Sequence, residues 1–256
     1  MIKYTIFNVS SIHKIFMYYL LSPKMEKEES TLEGHEFYTA AVKYWEHVPP
    51  TIDGMLGGFG FISQIDIKGS TKFLKALFEL KNPPLKTYAL DCGAGIGRIT
   101  KNLLLNHFKH VDLVEQNLKF LEVAKTCLKS HSTRICNYYP IGLQNFCFTA
   151  KYDVIWCQWV LGHLKHDDLI EFLKKCSSGL KSNGVIVIKE NVTSSENLEI
   201  DTKDSSVTRP LSEFYRIFQE SNLACIKEEQ QHKFPHGLYP VYMFALKSDN
   251  KLQTSM

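Results

Sequence analysis

No Cys-x-x-Cys pair occurs in the 256-residue chain, and its seven cysteines are odd in number. Such spacing spells neither a zinc framework nor a closed disulfide set, so reduced intracellular thiols and no metal are the simplest expectation. No apolar run reaches the roughly 18 residues a membrane helix needs. The most apolar terminal stretch, Ile2 to Leu21, is broken by Lys3, Asn8, His13 and Lys14. Its longest apolar piece, Ile15 to Leu21, is short for a secretory signal and no small-x-small site follows it. Charge of one sign is not in excess either: 30 Lys and Arg against 27 Asp and Glu give +3, too near balance to point to nucleic acid. Internal repeats and low-complexity tracts are missing. What is there is 44% hydrophobic and 22% charged, the mix of a globular chain with apolar material for one core. The length suits one α/β domain with an extension, or two very small domains.

Residues 1–24 carry no acidic side chain and are rich in Ile, Phe and Tyr; Met25-Glu-Lys-Glu-Glu-Ser30 follows. We expect an extension over 1–34, disordered or loosely docked; the alternative is that Met25 is the start. Phe37, Ala40, Ala41, Tyr44 and Trp45 have helical spacing over His35–Glu46, and Pro49-Pro50 ends that helix. Four glycines then fall within Gly54–Gly60, a close-approach loop or lid on one reading and a plain connection on the other. Asp66 is placed to cap a helix running to about Leu80, with Phe73, Leu74, Leu77 and Phe78 buried. Beyond residue 82, strands near Tyr88–Asp91, Val111–Glu115, Ile135–Tyr139, Asp153–Cys157 and Val185–Lys189 alternate with helices near Arg98–Phe108, Asn117–Leu128, Asp167–Gly179 and Leu211–Ser221. Strands at Ala224–Glu228 and Val241–Leu246 close the series as an antiparallel edge. The alternation predicts a largely parallel sheet between two helical layers over 83–248, with 35–82 in front and a tail at 249–256.

The central motif is Asp91-Cys-Gly93-Ala-Gly95-Ile-Gly97-Arg98, between a strand and a helix. It is not the dinucleotide fingerprint, since Arg stands at 98, and no Gly-Lys-Ser/Thr makes it a P-loop. An acidic residue before a glycine turn suits a nucleoside with a positive centre and no pyrophosphate, which is S-adenosylmethionine. Asp91 is expected near its ammonium, directly or through water, and Arg98 on its carboxylate. Glu115, at the carboxyl end of the second strand, suits ribose hydroxyls, and Leu143-Gln144 suits adenine.

At this point the sequence resembles the S-adenosylmethionine-dependent protein N-terminal (Xaa-Pro-Lys) N-methyltransferases. The resemblance is carried in order by Tyr44-Trp45, Pro49-Pro-Thr-Ile-Asp-Gly-Met-Leu-Gly-Gly58, Leu90-Asp-Cys-Gly-Ala-Gly-Ile-Gly-Arg-Ile-Thr-Lys101, Asp153-Val-Ile-Trp-Cys-Gln-Trp-Val-Leu-Gly-His-Leu164, Asn183-Gly-Val-Ile-Val-Ile-Lys189 and Asp204-Ser-Ser-Val-Thr-Arg209. It implies a single seven-stranded Rossmann-like class I methyltransferase domain with an N-terminal helical extension. It implies cofactor contacts from Gly93, Arg98, Glu115, Gln116, Asn117, Leu143, Gln144 and Gln158. A peptide channel would be lined by Trp45, Leu56, Gly57, Ile62, Trp159, Asp201, Ser206 and Tyr242. Catalysis would fall to Asp204, His163 and Asn191. Protein N-termini would be the partners, with no nucleic acid, no membrane, a monomer as default, and residence in nucleus and cytoplasm. The family often has Asp at the position of Glu115 and at that of Glu190, and a less polar pair where Gln116-Asn117 stand.

Taken alone, several of these residues have blander readings: a lone Trp159 as core, His163 as structural, and the acidic run Glu190–Ser206 as a solvated loop. A small-molecule methyltransferase would share the glycine loop and Glu115 without needing Asp201 and Asp204. A nucleic-acid amino-methyltransferase would carry an Asn/Asp-Pro-Pro-Tyr/Phe signature where Gln158-Trp159-Val160 stands. An inactive binding module is the third rival. Glycines at 57, 58 and 60 leave room for an amine that already carries methyls, so successive transfer is expected.

Overall fold

The computed structural model describes residues 34–249; the readings of residues 1–33 and of the end of the tail lie outside them. Five parallel strands are laid down in the order β3 (Ile135–Tyr139), β2 (His110–Val114), β1 (Tyr88–Cys92), β4 (Tyr152–Gln158) and β5 (Leu180–Thr193). β9 (Val241–Ser248) adds antiparallel to β5, and β8 (Leu223–Gln230) antiparallel to β9. These are the seven expected strands. Two more were not expected: β6 (Glu199–Asp201) and β7 (Ser206–Pro210) form a hairpin, and β7 runs parallel to the last residues of β5. β6 is three residues long and largely exposed, so it gave no hydrophobic alternation to read.

The strands alternate cleanly between two layers. Val185 and Val187 join Phe73, Leu74, Leu77, Leu104 and Ala124 on one side; Ile186 and Ile188 join Leu169, Phe172, Leu173, Phe214 and Ile217 on the other. The first layer holds α3 (Ser63–Leu77), α4 (Arg98–Asn102) and α5 (Leu118–Cys127); the second holds α6 (His166–Ser178) and α7 (Leu211–Glu220). Two helices precede them, α1 (Gly34–His47) and the short α2 (Ile52–Met55). The order reverses at β1, whose neighbours are β2 and β4, and ligands enter open α/β sheets at the carboxyl ends of the strands at such a point.

Two helices depart from expectation. The run Arg98–Phe108 breaks at Leu103 (φ −122°, ψ −66°) into α4 and a 3-10 turn at Leu104–Asn106. Asp66 does not cap α3. The helix starts at Ser63, and Asp66 lies in its first turn, wholly buried. The glycine-rich segment folds locally: Thr51 Oγ1 accepts from Gly54 N at 3.0 Å to cap α2, and Asp53 Oδ1 accepts from Gly60 N at 2.9 Å.

Candidate active site

A cavity opens at the carboxyl ends of β1, β2 and β4, built around the loop from β1 to α4. Gly93, Gly95 and Gly97 all have positive φ (69°, 54° and 77°), which L side chains rarely adopt. A β-carbon at Gly93 would lie 2.4 Å from Val160 Cγ2, and one at Gly95 2.8 Å from Met55 Sδ. The loop is therefore pressed between the β4 end and α2. Asp91 does not face this cavity. Its carboxylate is buried and accepts from Thr100 N (2.9 Å) and Thr100 Oγ1 (2.6 Å), and burial pushes it up to about 7. It ties the glycine loop to α4, which corrects its expected place near an ammonium group.

Glu115 follows β2 and lines the cavity with Gln116. Its Oε2 accepts from Gly95 N at 2.9 Å and its Oε1 from Asn117 N at 2.8 Å. Burial raises its pKa and those backbone N–H groups oppose the rise. Leu143 and Gln144, on the turn after β3, form the facing wall with Ile141 and Gly142. Asn117 is placed otherwise. Its Oδ1 caps α5 by accepting from Lys119 N and Phe120 N, and its Nδ2 donates to Trp45 O at 3.1 Å. It faces a neighbouring cleft rather than this cavity.

Arg98 opens α4 and donates from Nη1 to Asp66 Oδ2 at 2.6 Å. Gln158, at the end of β4, donates from Nε2 to both Asp66 oxygens (2.8 and 3.0 Å). Both residues line the cavity. Next along the chain, Trp159 has φ +52°, a strained backbone for an aromatic residue. It is held by Trp159 N donating to Lys189 O (3.0 Å) and Nε1 donating to Asn191 Oδ1 (3.1 Å). Its ring lies 6.4 Å from that of Phe234, the planes 29° apart.

His163 sits in a turn after β4. Trp45 Nε1 donates to its Nε2 at 3.1 Å, and its Nδ1 lies 3.2 Å from Ser205 O. An indole nitrogen only donates and a carbonyl only accepts, so the imidazole is neutral with its proton on Nδ1. Burial lowers its pKa, against the pull of Asp204. Asp204 is in the turn of the β6–β7 hairpin, where Oδ1 accepts from Ser206 Oγ at 2.6 Å; Asp201 Oδ1 accepts from Lys203 N.

Trp45, Trp159 and His163 therefore share one cavity with Gly93, Arg98, Glu115, Gln116, Leu143, Gln144 and Gln158. Asn191 is joined to it through Trp159, and the hairpin of Asp201, Asp204 and Ser206 through His163. Leu56, Gly57 and Ile62 do not line this cavity: Leu56 and Ile62 are buried in the core, and the Cβ position of Gly57 (φ 58°) is open. Tyr242 is not brought to this group. It pairs with Glu190, not Asn191, so it lies on the other face of the sheet, stacked on Phe244 at 6.1 Å. Tyr239, three residues earlier, is the tyrosine at the hairpin: its hydroxyl donates to Glu199 and Asp201 is close enough to affect it. Sequence reasoning also missed Tyr38, Met55 and Val160 of the cavity wall. It gave no role to Lys189, although that cation ends an otherwise apolar strand run, the one local signal of a buried partner.

The protein is similar to known methyltransferases along most of its length. Residues 33–247 match the family described as AdoMet dependent proline di-methyltransferase. The N-terminal Xaa-Pro-Lys N-methyltransferase 1 of Danio rerio is 52% identical over 213 residues, 82% of this chain and 95% of that protein. The Homo sapiens protein of the same name is 49% identical over 216 residues, 83% and 96%. A S-adenosylmethionine-dependent methyltransferase from Leishmania major has a solved structure with TM-score 0.78 and 36% identity, covering 84% of this chain and 85% of that one. The residues present suit that cofactor: left-handed glycines that leave no side chain over the loop, a buried carboxylate at the β2 end, and a guanidinium at the start of α4. The geometry and the comparisons converge, and the chain belongs to the AdoMet-dependent proline di-methyltransferase family.

Proposed function

We propose that the protein methylates the free α-amine of proteins that begin Xaa-Pro-Lys, up to three methyls, or two on proline. The carrying observation is one cavity that joins Arg98 and Glu115 to Trp159 and His163, with an acidic hairpin beyond it. The sulfonium of S-adenosylmethionine supplies an electrophilic methyl. Glu115 holds ribose hydroxyls, Arg98 the carboxylate, and Leu143 and Gln144 the adenine. A protein α-amine has a pKa of about 7.7–8.0, so roughly a tenth or more is neutral at pH 7. Orientation then matters more than basicity. Asn191 Oδ1 keeps a lone pair beside its bond from Trp159 and orients the amine. Asp204 receives the proton, directly or through water. Both nitrogens of His163 are engaged, so His163 positions the Asp204 turn and Trp45 rather than taking the proton itself. Trp159 packs on the substrate proline, and Asp201 and Ser206 receive the lysine ammonium. The open position at Gly57 leaves space for an amine already methylated. The reading places the protein in nucleus and cytoplasm as a monomer, acting on neither nucleic acid nor membrane; among the described residues no helix is long and apolar enough to cross one.

The test is mass spectrometry of a Ser-Pro-Lys peptide and its N-acetylated twin with S-adenosylmethionine. Methyl steps on the free peptide alone are expected. Transfer to both would move the site to the lysine side chain, and transfer to neither would favour a small-molecule substrate.

A further inference from the structure

Under the cavity lies a buried ion cluster that the reaction as derived does not use. Asp66 is its centre. The carboxylate accepts from Arg98 Nη1 at 2.6 Å, from Gln158 Nε2 at 2.8 and 3.0 Å, and from Lys189 Nζ at 2.5 Å. Asp66 and Lys189 are fully buried and Arg98 is 8% exposed. Lys189 has further acceptors in Ser70 Oγ (3.0 Å), Gln231 Oε1 (2.8 Å) and Asp66 O (3.2 Å). Its three N–H donors therefore have four acceptors, whereas its charge is met by one carboxylate that it shares and by the ring faces of Trp159 and Phe234.

Within the hydrogen-bonded cluster the charges do not cancel: one carboxylate faces two cations, and Asp91 is a further carboxylate felt by Arg98. Uncompensated positive charge out of water is costly. The ring faces of Trp159 and Phe234 offset part of it, and the cation that reaches the cavity is Arg98. Among the described residues the guanidinium donates from Nη1 alone, to Asp66 and, at 3.4 Å, to Ser63 Oγ. The Nε and Nη2 donors remain for a ligand in the cavity that Arg98 lines. Gln158 is fixed by the same carboxylate. Its Oε1 accepts from Trp156 Nε1 at 3.1 Å, and an indole N–H can only donate, so the amide cannot turn over while Asp66 holds Nε2.

We propose that Asp66, supported by Lys189, is the positioning residue that presents Arg98 and Gln158 to the cofactor's carboxylate. It sets affinity for the amino-acid end of the cofactor and not for its nucleoside end. The proposal rests on the assignment of that carboxylate to Arg98. Asparagine in place of Asp66 removes the charge that holds the guanidinium and turns an amide N–H either toward Lys189 and Gln158 or toward Arg98 and Gln158, so a Gln158 anchor is lost in both orientations without a change of size.

The experiment is calorimetric binding of two ligands to the full chain: S-adenosylhomocysteine, and its decarboxylated analogue, which keeps the ammonium and lacks only the carboxylate. Wild type is expected to prefer the first by at least roughly tenfold, the scale of a charge-assisted hydrogen bond. In Asp66→Asn, affinity for S-adenosylhomocysteine falls roughly 10- to 100-fold while that for the decarboxylated analogue changes less than about threefold, so the preference collapses. An equal loss for both ligands, or a preserved preference, overturns the proposal and leaves Asp66 a structural residue. If Asp66→Asn does not fold, the double variant Asp66→Asn/Lys189→Met replaces it. One cation remains uncompensated there, as in wild type, so a collapsed preference reports positioning and a preserved one reports net charge and overturns the proposal. A wild type with no preference at all would instead sink the assignment of Arg98.

Discussion

Trp45→Phe is the most informative single change. The ring remains against Phe120 and His163, whose centroids lie 6.3 and 5.6 Å away, but the Nε1 donor to His163 Nε2 is gone. That nitrogen then has no partner in a buried site, a loss of about 1–3 kcal/mol. At roughly 2–4 °C per kcal/mol for a domain of this size, the melting temperature at pH 8 should fall by about 2–12 °C. The pH dependence is the sharper readout. In wild type burial lowers the folded-state pKa of His163, so stability is lost as pH falls below the unfolded value near 6.5. In the variant a freed Nε2 can take a proton and Asp204 favours the cation, so the folded pKa rises. A raised histidine pKa contributes stability at low pH that is lost on going up. The gap between the two proteins should therefore narrow from pH 8 to pH 5.5, followed by thermal melts and by nitrogen shifts of the imidazole. A gap that is constant or widens on acidification would refute the tautomer assignment and the fixed role of His163.

Gly93→Ala forces a left-handed alanine, about 1–2 kcal/mol, and drives its methyl toward Val160; binding of S-adenosylhomocysteine should weaken by well over roughly tenfold, measured by calorimetry, with little change in secondary structure. Glu190 is buried, its Oε1 accepting from Val160 N and Leu161 N at 2.8 Å, and its pKa is raised to about 7. A raised carboxyl pKa makes the fold most stable below pH 4.5 and costs stability as pH climbs to 7, on the order of 3 kcal/mol. Glu190→Gln should remove that part of the slope in urea midpoints across this window, while Asp91, also raised to about 7, keeps a similar part. Tyr239→Phe should raise the peptide KM several-fold in steady-state assays with unchanged stability, whereas Tyr242→Phe should leave the KM alone; the reverse pattern would restore Tyr242 to the channel.

Much of this molecule was legible because its signals are local. Strand parity at Val185–Ile188, the glycines at 93, 95 and 97, and the acidic residue ending β2 all follow from spacing along the chain. The cap of α5 by Asn117 was legible as a helix start and misread as a cofactor contact, since one side chain cannot do both. Asp66 was misread in the same way: an acidic residue near a helix start has the cap as its usual meaning, and nothing nearby in sequence announces Arg98 and Lys189.

The sequence by itself determined the alternation of elements, the two faces of each strand and the loop that a nucleoside can approach, because side-chain period and glycine conformation are properties of adjacent residues. Only the tertiary structure decided which groups meet. Tyr242 was lost from the channel because the β5–β9 register sets it beside Glu190 rather than Asn191, and a shift of one residue exchanges the faces of a sheet. His163 became a fixed acceptor because α1 brings Trp45 to it from 118 residues away. Asp66 became the centre of a buried cluster because three donors from three other elements converge on it, and burial makes such a carboxylate stable only in their company.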